Sequence, residues 1–79
     1  MNLYLISQNV NNGYDTFNSA VVAAETKEEA INIHPGGGLY EINVDNHVWA
    51  TTDKVSAEII GVAKDRTKSG IICASFNAG

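Results

Sequence analysis

Cysteine, proline and basic side chains are scarce in this chain, and each scarcity narrows its class. The single cysteine, Cys73, excludes an internal disulfide, whereas a small secreted domain of this length usually carries several. Cys73 reads as a strand residue of the core rather than a reactive thiol. Pro35 is the only proline, and no linker, internal repeat or low-complexity tract accompanies it. Five bases face nine acids, too few to spread a basic face along a phosphate backbone, so no direct nucleic-acid binding is expected. The longest apolar runs, residues 20–24 and 59–63, fall far short of the roughly 20 needed to span a bilayer, and no membrane segment is expected. The opening MNLYLISQ has no basic stretch, and Ser7 and Gln8 interrupt its apolar run, so it does not read as a secretory signal. The expected location is the cytoplasm.

What is present describes a folded domain. Of the 79 residues, 44% are hydrophobic and 18% charged, too apolar for a disordered chain, and the length fits a single domain, residues 1–79. Charge is unevenly placed. Residues 1–53 hold seven acids against Lys27 alone, a net of −6, whereas residues 54–79 hold two acids against Lys54, Lys64, Arg66 and Lys68, a net of +2. An acidic surface favours a basic partner, although a net charge of −4 is also an ordinary solubility charge.

The pattern reads as α+β: a mostly antiparallel sheet of about five strands with one short helix on a face, in the order β-β-α-β-β-β. Residues 3–7 form an apolar strand, Asn12-Gly13 favours a turn, residues 14–19 return as an irregular or edge segment, and residues 19–25 supply the second strand. The helix follows. Thr26 and Glu29 stand at capping-box spacing, with the Thr26 hydroxyl expected to accept from the Glu29 amide and the Glu29 carboxylate to reach back to the Thr26 amide. Glu28 adds a first-turn negative charge. Ala30, Ile31 and Ile33 give the buried side, and Pro35 with Gly36, Gly37 and Gly38 is expected to end the helix after two to three turns. Residues 39–44 alternate, and Asp45-Asn46 turns into residues 47–51 as a hairpin. Residues 54–63 and 70–76 form two further strands joined by the charged loop 64–69, with Gly61 marking a bulge or a close backbone approach.

No chemistry-bearing motif emerges. The HPGGG run follows a helix and precedes a strand, the reverse of a phosphate-binding loop, and reads as a helix terminator. His34 and His47, with Cys73 and the acids, match no zinc spacing, so no metal and no cofactor are expected. His34 reads as a partner for the last carbonyls of its own helix. Glu28 and Glu29 point about 100° apart on a helix and do not form a catalytic pair. No nucleophile sits in a recognisable setting, and an enzyme is not expected. Tyr14 and Phe17, beside Asp15, and Trp49 in the hairpin suit either an interface or the core, with the core the first reading for Trp49.

The segments LYLISQ, NNGYDTFNSAVVAAET, EEA followed by IHP, and the closing ASFNAG resemble a group of short proteins encoded by bacteria, phages and prophages. The likeness covers about half the chain and excludes residues 36–50. No catalytic pattern attaches to that group, so no site is carried across. What the resemblance implies is context: small acidic proteins in such genomic settings include inhibitors of host defence, among them anti-CRISPR proteins that occupy the nucleic-acid-binding face of a Cas effector in the bacterial cytosol. On that expectation Asp15, Glu25, Glu28, Glu29, Glu41 and Asp45 form an acidic patch for a basic protein surface such as a CRISPR effector subunit, with Tyr14 and Trp49 as aromatic anchors. The competing readings are a small-ligand or regulatory module, framed by the glycine loop and the Tyr14 loop, and a homodimer formed through an exposed sheet edge at residues 70–76.

Overall fold

The computed structural model describes residues 1–10, 13, 16–36 and 49–77. These form four strands, β1 (Asn2–Ser7), β2 (Thr16–Ala24), β3 (Ser56–Val62) and β4 (Gly70–Asn77), with one α-helix, α1 (Lys27–Ile31), and a 3₁₀ turn at Thr52–Lys54. The sheet is antiparallel throughout, in the order β3-β1-β2-β4. The α+β class and the antiparallel sheet with one short helix therefore stand. The alternating run 39–44 lies outside the described residues, as does most of the hairpin expected to follow it. The part that is described, residues 49–51, is not strand but leads into the 3₁₀ turn.

Strand boundaries follow from pairing. β2 begins at Thr16, earlier than its apolar centre implies, because Phe17 is held opposite Phe76 of β4, with ring centroids 4.8 Å apart in an edge-to-face contact. β3 begins later than expected. Lys54 is drawn into the 3₁₀ turn, its amide donating to the Thr51 carbonyl at 2.9 Å. The irregularity expected near Gly61 is a bulge. Leu3 pairs with Gly61 and Tyr4 with Ile59, leaving Ile60 as the extra residue. A second falls in β4, where Ile72 is passed over between Cys73, opposite Val21, and Ile71, opposite Val22.

The helix starts as read and ends sooner. The Glu29 amide donates to the Thr26 hydroxyl at 3.1 Å, but the Glu29 carboxylate accepts from the Glu25 amide at 3.0 Å, one residue before the expected donor. α1 has five residues, and Asn32 rather than the proline and glycines terminates it. The Asn32 side-chain amide donates to the Glu28 carbonyl at 2.8 Å, satisfying an end carbonyl that a further turn would have used. Ile33 is thereby turned into the core.

One face of the sheet carries that core. Tyr4 and Ile6 of β1, Ala20, Val22 and Ala24 of β2, Ala30 of α1, Ile33 and Trp49 pack together. Register explains the set: Tyr4 lies opposite Val22 and Ile6 opposite Ala20, and side chains two apart share a face. The small residues of β2 leave room on that face for the indole of Trp49, which is 0% exposed. On the other face Leu3, Leu5 and Val21 remain half-buried.

Candidate interaction surface

The β1–β2 end of the sheet is tied by Gln8, whose side-chain amide donates to the Phe17 carbonyl at 2.9 Å while its carbonyl oxygen accepts from the Val10 amide at 2.8 Å. Thr16, also buried, donates from its hydroxyl to the Gly13 carbonyl at 2.7 Å. Gln8 stood out in the sequence only as a polar interruption and Thr16 not at all, because their partners are backbone groups brought close only by the hairpin.

His34 is 1% exposed, and its place corrects the expectation that it caps its own helix. Its Nδ1 accepts from the Gly36 amide at 2.9 Å, a bond that requires Nδ1 to be unprotonated. Gly36 is close beneath it. A Cβ there would stand 3.1 Å from Nδ1 and 3.2 Å from Cε1 of the ring, so the glycine permits the close approach rather than simply ending the helix.

Glu25, Glu28 and Glu29 are all exposed and fall within the turn that opens α1. The hydrogen bond from the Glu25 amide orients the Glu29 carboxylate. Of the other expected acidic residues, Asp15, Glu41 and Asp45 lie outside the described residues, as does Tyr14. Trp49 lies inside the core and offers nothing to a surface. Elsewhere, Thr51 donates from its hydroxyl to the Asp53 carboxylate, which holds that exposed acid below the usual carboxylate range.

Sheet register places the basic residues close to this turn. Asn2 pairs with both Ala24 and Val62, and Ala23 pairs with Gly70. The chain leaving β2 at Glu25 and the loop 63–69 joining β3 to β4 therefore occupy the same end of the sheet. That loop crosses from one margin to the other, carrying Lys64, Asp65, Arg66 and Lys68, all exposed. Arg66 adopts φ 70° at the third position of a turn closed by the Thr67 amide on the Lys64 carbonyl at 3.1 Å, a place glycine or asparagine usually takes. The separation of charge along the sequence is thus partly undone in space.

Exposed apolar side chains lie on both marginal strands: Ile59, Ile60 and Val62 on β3, Ile72 and Phe76 on β4. Both segments read from sequence as ordinary apolar strands, and Cys73, expected in the core, is exposed on β4. Among the described residues no group of three His, Cys, Asp or Glu side chains is placed to hold a metal ion, and no helix is long and apolar enough to cross a membrane. No family model matches the chain, and neither does any curated protein or solved structure.

Proposed function

We propose that the chain is a small non-enzymatic inhibitor that occupies a basic, nucleic-acid-binding face of another protein, an anti-CRISPR protein acting on a Cas effector being the form the resemblance implies. The observation that supports this reading is the turn carrying Glu25, Glu28 and Glu29, three exposed carboxylates against the single exposed base Lys27 in five residues at the start of α1. Such a turn meets lysine and arginine side chains without further rearrangement and raises the rate of encounter with them. The neighbouring lysines and arginine of residues 64–68 narrow the acidic surface to the turn itself, which steers the encounter.

The test is inhibition of target-strand binding by purified CRISPR effector complexes, with Glu25→Lys and Glu28→Lys combined. Glu29 is left intact because its carboxylate holds the Glu25 amide. The double variant is expected to bind the effector more slowly and to lose most of its dependence on salt. Inhibition equal to that of the unaltered chain, with the same salt dependence, removes the reading.

A further inference from the structure

The margin formed by β4 carries no charge, unlike the opposite margin, where β3 carries Glu58. No side chain from Ser69 to Gly79 carries a formal charge, and neither does any in β2 beside it. Residues 72–76 are all exposed, so both faces of the strand meet solvent, and its outer edge has no partner strand among the described residues. Natural sheets usually blunt such a margin with a lysine, a proline, an inward-pointing charge or a bulge, because a row of open amides and carbonyls is a template for another strand. β4 has only the bulge at Ile72, which leaves residues 73–76 free of any further extra residue on this strand.

We propose that two copies of this chain associate through β4, antiparallel about a two-fold axis, so that their sheets become one. Charge selects the occupant. Two chains of net −4 repel wherever carboxylates meet, and the β2–β4 half of the sheet is where they approach without that cost. The opposite margin is less suited. β3 carries Glu58, and a two-fold pairing there sets like charges across one short interface. At β4 the pairing supplies ladder partners for the outer backbone groups and covers Ile72 and Phe76. An eight-residue edge, about 27 Å long and about 10 Å deep, covers on the order of 300 Å² per partner, short of the roughly 800 Å² typical of a stable complex. The dimer is therefore concentration-dependent, and it does not rest on the inhibitor reading above.

Sedimentation equilibrium of the full chain from low micromolar to low millimolar concentration tests it. A rise toward the dimer mass is expected, with Cys73 as a built-in probe: a short bis-maleimide is expected to trap covalent dimer, absent in Cys73→Ser. Combining Ile72→Lys with Ser75→Lys sets like charges across the axis and is expected to weaken association about ten-fold or more, with an unchanged melting transition. Should that variant lose its fold, amide hydrogen exchange of the unaltered chain replaces it, and slowing across residues 72–76 with rising concentration is then the supporting result. A monomer at every concentration, a dimer indifferent to the paired lysines, or exchange at residues 72–76 that ignores concentration overturns the proposal.

Discussion

At Gly36 the backbone passes so close to a buried imidazole that any side chain there would press on the ring. Replacing it with alanine puts a methyl group 3.1 Å from His34 Nδ1, and the ring, itself almost wholly buried, has little room to retreat. We expect Gly36→Ala to lower stability by about 1–3 kcal/mol through overpacking and loss of the bond to Nδ1. Urea denaturation followed by Trp49 fluorescence measures this, and Gly13→Ala serves as the control. Among the described residues nothing lies within 4 Å of a Cβ at Gly13, so its effect should stay within about 0.5 kcal/mol. Equal losses at the two glycines would remove the steric account. The glycine run reads in sequence as the end of the helix, which Asn32 sets instead, and the contact of Gly36 with His34 was not legible at all. It depends on a histidine folding back over the chain two residues later, and no residue pattern marks that event.

The start of α1 shows what local sequence can specify at the scale of an element. Thr26, Glu28 and Glu29 act over one turn, where spacing alone fixes who can meet whom, and the Thr26 cap was readable for that reason. Removing the hydroxyl with Thr26→Ala should cost about 1 kcal/mol, seen as a lower midpoint in thermal melts with the sheet signal intact. A midpoint equal to the unaltered chain's would mean that tertiary packing alone holds the helix. Such packing does matter here, since five residues are too few to persist as an isolated helix. The end of the helix was misread because Asn32 competes through its side chain, and Ile33 leaves the helical path to reach the core. Sheet order was beyond local reading altogether. Residues 70–76 entered one competing reading as an exposed edge while Cys73 within them read as core, and nothing local marked residues 59–62; the non-local pairing β3-β1-β2-β4 puts both strands at the margins with Ile59, Ile60, Val62 and Ile72 exposed.

Charge is where chain order and the whole molecule part company. The first two thirds of the sequence are strongly acidic and the last third basic, yet the antiparallel order returns the basic loop to the end of the sheet from which Glu25 departs. β2 is one strand from β4 and two from β3, so the end of β2 from which Glu25 departs stands about 5–10 Å from where that loop begins and ends. This matches the screening length of about 8 Å at physiological ionic strength, so the two sets of charges are not insulated from each other. Lys64 and Lys68 should therefore weaken the attraction of the acidic turn for any basic partner. Combining Lys64→Gln with Lys68→Gln changes the net charge from −4 to −6 and leaves the turn at α1 untouched. The variant is expected to associate with a basic partner several-fold faster in stopped-flow measurements at low salt. That advantage should shrink steadily as salt rises, because it resides in exposed charges and not in new contacts. A variant that associates no faster at low salt would place the encounter surface away from this end of the sheet, and Glu25, Glu28 and Glu29 would then be charges of solubility and of the helix start.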